Sequence, residues 1–336
     1  MVTFSKFGRP YADNAAIRWF AGCASDLVRR SIDRWGPEIV REWLWCVGNE
    51  PNSEWRNAGL TVDLYRGLYE AAAESIVECL APYLEGRKAL VGGPGIDGFQ
   101  PFWIDWVYRF VNEFDNRLIS FVVWHRYGEW RQAGDWGAPK EEAIFRALVM
   151  SRCAEYQARS RAVGRMLKGR GILNVCGEFN AHSDLYSSVG EPFNRSEFGA
   201  AYYGSALMHL IRGGADIEML RSAPGATPQH MAKQLCARFI RAGDDLDFPE
   251  LPNAQGRADI VIATSPDHQL SAFLVHRRDE PFTLSLRDVP VLEQCQYVLK
   301  IDTATKGKIV RERLEHSLRI EGYGVAVLSG AEARPQ

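Results

Sequence analysis

The sequence predicts an α/β protein of the (β/α)8 TIM-barrel type, incomplete at its N-terminus and followed by a small all-β sandwich domain. Short apolar runs alternate strictly with long amphipathic segments over the first two thirds of the chain, which is typical of βαβ units around a parallel sheet. The apolar runs begin roughly 30 to 53 residues apart, near the pitch of a barrel that forms eight units from about 250 residues. Near residue 242 the helical period gives way to short, closely spaced strand-like runs.

Five strands are predicted in the barrel region, and four of them are rich in Val, Ile, Trp or Phe. They lie at 43–47, 89–92, 119–124, 172–176 and 215–220. The segments around them have apolar residues at three- and four-residue spacing, which predicts helices. The helices are expected at about 12–35, 60–84, 101–115, 140–168, 194–212 and 228–240.

The segment that follows the last predicted helix is rich in Asp, Pro and Gly and is typical of a connection between domains. It reads RAGDDLDFPELPNAQGR, and the strand-like runs DIVIATS, LSAFLVHRR, FTLSLRD, QYVLKID and LRIEGYGVAVLS come after it. We therefore predict a partial barrel at 1–242 that supplies barrel strands four to eight, and a β-sandwich at 243–336.

Composition and charge exclude several classes of protein. The chain has 336 residues, 46% hydrophobic and 24% charged, with a net charge of −2, so a nucleic-acid partner is not expected because phosphate binding needs a concentrated basic surface. The seven cysteines are scattered and contain no C-x-x-C pair, which favours small buried side chains in a reducing compartment. We expect no membrane partner and a cytoplasmic location, because neither a long uncharged stretch nor a signal peptide is visible.

Two predicted strands end in a glutamate. WLWCVGNEPN places Glu50 after an apolar run, and GILNVCGEFNAH places Glu178 after another. An ionised group at the end of a buried strand is costly unless it has a partner or a function. The carboxyl ends of barrel strands form the rim where active sites are built, so both carboxylates are expected to face one pocket. Alternation along the strand would place Glu50 on the same face as Gly48 and Cys46.

Simpler interpretations of the same residues remain open. Asn and Pro are turn formers, so the segment around Glu50 could be a solvated turn, and Glu178 could be a rim residue paired with an arginine. VGGPG at 91–95 lacks the Lys-Ser/Thr of a phosphate-binding loop, which favours a tight connection. Cys46 and Cys176 could form a thiol site, but no histidine lies at a suitable spacing and a filling role is favoured.

Four motifs in chain order resemble the retaining glycoside hydrolases of clan A, most closely glycoside hydrolase family 39, which includes β-xylosidases and α-L-iduronidases. They are GNEPN at 48–52, VGGPG at 91–95, WHRYG at 124–128 and GEFN at 177–180. They would lie on the fourth to seventh strands of the family's barrel. RWGPEIVREWLW is similar to the family's run into the fourth strand, and the resemblance spans about residues 26–220.

The resemblance implies a role for each matching residue. Glu50 would be the general acid/base and Glu178 the nucleophile, while Asn49 would bind the sugar 2-hydroxyl. His125 would lie near the acid/base, and Tyr127 would orient the nucleophile.

Three aromatic residues are further candidates for stacking on a sugar ring, namely Trp55, Trp130 and Phe179. The sequence also departs from the family's usual pattern. Gly48 replaces the usual tryptophan before Asn-Glu-Pro, and Gly177 and Phe179 replace the commoner Thr and Trp around the nucleophile. These changes leave the chemistry possible and leave the sugar specificity open.

The family's barrel has three βα units before the acid/base strand, whereas only about 42 residues precede it here, enough for one helix. Five strands cannot close a barrel, and an open parallel edge exposes unpaired backbone groups. We therefore expect missing residues or another chain to complete the barrel, unless the protein is a decayed relative.

The predicted function is hydrolysis of a β-xyloside-like or related glycoside by a retaining double displacement. A carbohydrate substrate is expected, and no cofactor or metal is expected, because the remaining histidines have no metal-ligand spacing. The alternative is an inactive or incomplete relative that serves as a carbohydrate-binding or interaction protein.

Overall fold

The computed structural model describes residues 1–4, 14–53, 60–222, 225–251, 254 and 256–330. The described chain forms two compact units. The first contains Met1–Arg126, Gln157–Phe179 and Gly213–Met219, and the second contains Tyr127–Tyr156, Asn180–Arg212 and Leu220–Gln336. Both units draw on residues before 242, so the predicted domain boundary at that position stays a prediction.

A six-stranded parallel sheet with strand order β1 to β6 organises the barrel region. Its strands are Val2–Phe4 (β1), Trp45–Val47 (β2), Val91–Ile96 (β3), Phe121–Glu129 (β4), Leu173–His182 (β5) and Ile217–Leu220 (β6). Sequence order and spatial order coincide, as expected when each strand follows its neighbour through a right-handed helical crossover. The (β/α) barrel type of fold is confirmed, with six strands of such a barrel in the described residues.

The helices agree closely with the predicted periodicity. They are Asn14–Trp35, Pro37–Val40, Val62–Leu80, Trp103–Glu113, Glu142–Ser151, Cys153–Leu167, Glu191–Asn194, Glu197–Gly213 and Pro228–Phe239, with 3-10 turns at Ala81–Tyr83, Asn116–Leu118, Leu286–Asp288 and Pro290–Gln294. Thr61 and Thr227 accept hydrogen bonds from Leu64 and His230 and so cap two of these helices. The predicted helix over 140–168 is divided at Arg152 into two helices.

One strand of the sheet was not predicted. β1 pairs in parallel with β2, with Val2 opposite Trp45 and Phe4 opposite Val47, so a sixth strand lies beside the five predicted ones. The expectation that only a helix precedes the strand at Trp45 is therefore wrong. VGGPG lies in strand β3, as the resemblance implies, and does not form the tight connection that was expected from its glycines. Gly92 is needed there because a Cβ would lie 2.2 Å from the carbonyl oxygen of Phe121.

Antiparallel strands form the C-terminal region, all within the second unit. They are Asp245–Asp247 (β7), Ala258–Thr264 (β8), Leu270–His276 (β9), Phe282–Ser285 (β10), Tyr297–Ile301 (β11), Val310–Arg313 (β12), Ser317–Ile320 (β13) and Gly324–Ser329 (β14). One sheet has the order β12-β11-β14-β9-β8-β7, and β10 pairs with β13 in a second sheet. Ile260, Leu274 and Leu328 of the larger sheet share a buried core with Leu284 and Leu318 of the smaller one. Two sheets packed through a common core form the expected sandwich.

Candidate active site

Glu50 lies in a buried turn at the end of β2. The strand stops at Val47, and Gly48 and Glu50 have positive φ angles of 101° and 54°. The Glu50 amide donates to the carbonyl oxygen of Gly95 over 2.7 Å, and the Ser53 amide donates to the Glu50 carbonyl over 3.0 Å. Because the strand has ended before Glu50, alternation along it does not determine the position of this side chain, and the shared face with Cys46 stays a prediction. A left-handed non-glycine residue is strained, and such strain clusters at functional sites.

Gly48 is required by its conformation and by its neighbour Tyr65. A Cβ at Gly48 would lie 3.0 Å from Cε2 of Tyr65 and 3.2 Å from the carbonyl oxygen of Pro94. The Tyr65 hydroxyl, on helix Val62–Leu80, donates to the carbonyl oxygen of Val47. The family's usual tryptophan at position 48 would not fit this turn, so the departure seen in the sequence has a local cause.

Asn52 fastens the turn to the end of β3. Its Nδ2 donates to the carbonyl oxygen of Asp97 over 2.9 Å, and its Oδ1 accepts from the Asp97 amide over 2.8 Å. Both residues are buried. Paired hydrogen bonds of this kind fix position as well as distance, so Asn52 helps to hold the segment that carries Glu50. No role for Asn52 was expected from the sequence, although Asn52 is the last residue of the motif GNEPN.

His125 lies between the two glutamates. Its Nδ1 is 3.3 Å from Oε1 of Glu50 and 3.9 Å from Oε2 of Glu178. His125 lies in the middle of β4, and Glu178 lies in β5. The structure thus brings together three residues that are far apart in the sequence.

The glycine before Glu178 allows β5 to approach β4. A Cβ at Gly177 would lie 2.3 Å from Cγ1 of Val123 and 3.5 Å from Nε2 of His125. No real Cβ tolerates the first of these distances. Gly177 therefore sets how closely Glu178 and His125 can lie.

The two carboxylates of the site differ in their exposure to solvent. The Glu50 side chain is 9% exposed and the Glu178 side chain 22% exposed. Burial, together with the charge of Glu178, raises the pKa of the Cys46 thiol to about 12. Burial also holds the pKa of the Cys176 thiol well above its usual range. Both thiols are neutral near pH 7, which argues against a thiol site and for a filling role.

The structure treats the other predicted site residues differently. Asn49 is partly buried beside Glu50, and Tyr127 is buried in the second unit, where its hydroxyl accepts from Nη1 of Arg221 over 3.0 Å. Trp130 is 58% exposed. Phe179 is fully buried, so its ring has no accessible face and the expectation that it stacks on a sugar is wrong. Trp55 lies outside the described residues.

Two kinds of chemistry fit the cluster of Glu50, His125 and Glu178. One ligand atom from each residue lies within 4.8 Å of the others. Carboxyl groups about 5 to 5.5 Å apart are typical of retaining glycosidases, because the second carboxylate must reach the anomeric carbon directly. Two carboxylates and an imidazole are also a donor set that divalent metal ions accept.

In the described part of the chain, no helix is long and apolar enough to cross a membrane.

Part of the sequence is similar to a known family. Residues 12–152 match the family described as Glycosyl hydrolases family 39. A beta-xylosidase from Geobacillus stearothermophilus is 38% identical over 104 residues, which cover 30% of this chain and 19% of that protein. The chain thus matches about a fifth of the length of this curated relative, and its residues 12–152 are similar in sequence to glycosyl hydrolases of family 39.

Solved structures extend the similarity of fold to almost the whole chain. A GH39 beta-xylosidase from Caulobacter crescentus matches 98% of this chain and 73% of its own, with a TM-score of 0.56 and 15% identity. CelM2, a bifunctional glucanase-xylanase protein from a metagenome library, matches 93% of this chain and 68% of its own, with a TM-score of 0.60 and 16% identity. A GH51 arabinofuranosidase from Xanthomonas axonopodis pv. citri matches 94% and 73%, with a TM-score of 0.60 and 11% identity. At these identities the likeness establishes the fold.

Proposed function

We propose that this family-39-like chain is a retaining O-glycoside hydrolase that uses Glu50 and Glu178. The observation that carries the proposal is the pair of carboxylates, which lie with His125 within 4.8 Å of one another. Such a separation leaves no room for a water molecule between a carboxylate and the anomeric carbon, so it favours direct attack over the inverting reaction.

Glu178 acts as the nucleophile and Glu50 as the acid/base. An oxygen of Glu178 attacks the anomeric carbon while Glu50 gives its proton to the departing glycosidic oxygen, which leaves a covalent glycosyl ester on Glu178. Glu50 then takes a proton from water, the water oxygen bonds to the anomeric carbon, and the Glu178 carboxylate leaves.

Three neighbours support these two residues. His125 contacts the acid/base through Nδ1 and keeps its side chain in position. Asn49, beside Glu50, binds the 2-hydroxyl of the sugar, an interaction that strengthens in an oxocarbenium-like transition state. Tyr127 is a further site residue that the family resemblance implies.

The proposed substrate is a β-xyloside or a related neutral glycoside. The relative that part of this sequence matches is named a beta-xylosidase. The similar solved structures are named as a beta-xylosidase, a glucanase-xylanase and an arabinofuranosidase.

Trapping of the covalent intermediate tests the assignment. The chain is incubated with 2-deoxy-2-fluoro-β-xylosyl fluoride, whose fluorine slows both steps while its good leaving group permits the first. We expect one added glycosyl mass, mapped by peptide mass spectrometry to Glu178. Glu178→Gln should take up no label. Glu50→Gln should release dinitrophenol from an activated xyloside far faster than xylose from an unactivated one, because general acid catalysis is worth about 10² to 10⁴ in rate.

Two results would contradict the proposal. Equal, background-level release of aryl β-glycosides by the wild type and by Glu178→Gln would exclude turnover and favour the binding protein. Loss of activity after dialysis against a chelator, with recovery on adding a divalent cation, would assign the three-residue cluster to a metal.

A further inference from the structure

The loop 130–141, which follows β4, is built around one buried ion pair in the second unit. Glu129, the last residue of β4, is completely buried. Its two oxygens accept from Nε and Nη2 of Arg131 over 3.1 and 2.8 Å. Arg152 lies 3.2 Å from the same carboxylate. Burial works against the charged form, but Arg131, the Trp130 amide and Arg152 outweigh it and hold the pKa of Glu129 below its usual range.

Arg131 also holds the middle of the loop through the backbone of Trp136. Its Nη1 donates to the carbonyl oxygen of Trp136 over 3.0 Å. On the other side, Nε2 of His182 lies 3.1 Å from the carbonyl oxygen of Arg131, and Nδ1 of His182 accepts from the Asp184 amide. The second contact makes Nδ1 the acceptor, so Nε2 carries the proton and donates to the loop.

Backbone hydrogen bonds close the tip of the loop. Gly134 donates to the carbonyl oxygen of Pro139 over 2.8 Å, and Ala138 donates to that of Asp135 over 2.8 Å. The Gln132 amide donates to Oδ2 of Asp135. The loop is therefore an ordered structure with its own supports.

This well-supported loop exposes two tryptophans. Trp130 is 58% exposed and Trp136 is 93% exposed. The guanidinium carbon of Arg131 lies 5.7 Å from the centre of the Trp130 ring. Exposed tryptophans lose the benefit of burying a large apolar surface, so a loop that is fixed in this way and keeps two of them in solvent is suited to binding.

The surroundings of the two rings indicate which ligand they fit. From Trp130 to Glu141 the sequence WRQAGDWGAPKE contains no Leu, Ile, Val, Met or Phe. The two rings are therefore not extended by aliphatic side chains of this loop into a larger apolar patch. A sugar ring presents an apolar C–H face and a rim of hydroxyls, so it matches a tryptophan face flanked by the polar groups of Gln132, Asp135 and Lys140.

We propose that Trp130 and Trp136 form a glycan-binding site, in which the loop 130–141 stacks the sugar rings of a neutral β-linked oligosaccharide. The class of glycan rests on the proposed function, but binding does not require hydrolysis. The Glu129–Arg131 pair is a positioning element that holds the two rings and does not touch the glycan.

Calorimetric titration with xylohexaose and cellohexaose tests the site. All variants are made in a Glu178→Gln background, so that hydrolysis does not consume the ligand. Trp136→Ala and Trp130→Ala should each weaken binding of at least one oligosaccharide roughly three- to tenfold, the range expected for loss of one aromatic stacking contact. Trp19→Ala is the matched control, because Trp19 is 57% exposed and lies on helix Asn14–Trp35 of the first unit.

Each outcome decides the matter. Weaker binding in the two loop variants, with Trp19→Ala unchanged, supports the site. Equal affinity in all variants, or no binding of either oligosaccharide by the background protein, overturns it. A loop variant that changes sedimentation but not glycan affinity overturns it as well and indicates a protein interface. Glycan binding by the background protein, together with background-level hydrolysis by the wild type, would refute the proposed catalysis and leave this site intact.

Discussion

Single residues set the geometry of the candidate site through their size and backbone conformation. Glycine at 177 permits two strands to lie close together, and glycine at 48 permits a turn with positive φ. Glu50 itself adopts a positive φ angle, held by its hydrogen bond to Gly95. These positions are sensitive because their constraints involve backbone or packed side chains that cannot move aside cheaply.

Gly177→Ala is expected to destabilise the protein by about 1 to 3 kcal/mol, the usual cost of an overpacked core. The added methyl group would meet Val123 at 2.3 Å, so the β5 backbone must shift and carry Glu178 with it. The free energy of unfolding in urea measures the effect. Gly164→Ala is the control, because the nearest atom to its Cβ is 3.9 Å away and a helical glycine gains about 0.5 to 1 kcal/mol from this change. Equal effects of the two substitutions would contradict the expectation.

At the scale of elements, the turn after β2 and the loop after β4 are shaped by contacts with other segments. Asn52 ties the turn to Asp97, which lies 45 positions further along the chain. Arg131 donates hydrogen bonds to the Glu129 carboxylate at the end of β4 and to the carbonyl oxygen of Trp136 within the loop. The backbone of each segment is irregular, yet hydrogen bonds to other residues hold it in one conformation.

Asn52→Ala is expected to lower stability by about 1 to 3 kcal/mol, because it leaves a buried amide and a buried carbonyl of Asp97 without their partner. If Glu50 is the acid/base, the rate on unactivated xylosides should fall more than the rate on dinitrophenyl xyloside. Asn52→Asp retains the acceptor for the Asp97 amide and loses the donor to the Asp97 carbonyl. Its melting temperature should therefore also be lower than that of the wild type. A melting temperature of Asn52→Ala equal to the wild type would exclude this anchoring role.

The sequence predicted regular elements better than these irregular ones. Strand and helix positions follow from side-chain spacing within one segment, which explains why helix Asn14–Trp35 was expected at 12–35. The strand β1 has only three residues and carries too little pattern to be recognised. Phe179 resembled a stacking residue, yet its ring is fully buried, because its orientation depends on what packs outside the sheet.

At the scale of the whole molecule, buried titratable groups link folding to pH. Burial lowers the pKa values of His182 and His276. Burial also lowers the pKa of His209 to about 4, with Arg277 and Arg212 acting in the same direction and Asp259 opposing them. A histidine whose pKa is lower in the folded state binds its proton preferentially in the unfolded state.

The melting temperature should therefore fall as the pH drops from about 6.5 towards 4, the interval between the ordinary pKa of histidine and that of folded His209. Above that interval the imidazole is neutral in both states and contributes no pH dependence. His209→Gln should flatten the decline in this window, whatever it does to stability at pH 8. An unchanged slope in the variant would contradict the assignment to His209.

The amino-acid sequence was sufficient to predict the alternation of strands and helices, the change to an antiparallel β region, and two glutamates that follow buried apolar runs. These follow from periodicity and from the rule that parallel strands present their carboxyl ends at one edge, both of which can be read locally. Four features could be seen only in the tertiary structure. They are the left-handed turn at Glu50, the contacts of His125 with both carboxylates, the anchoring by Asn52 and the burial of Phe179. Each of these depends on distances between residues far apart in the chain, and local spacing does not encode such distances.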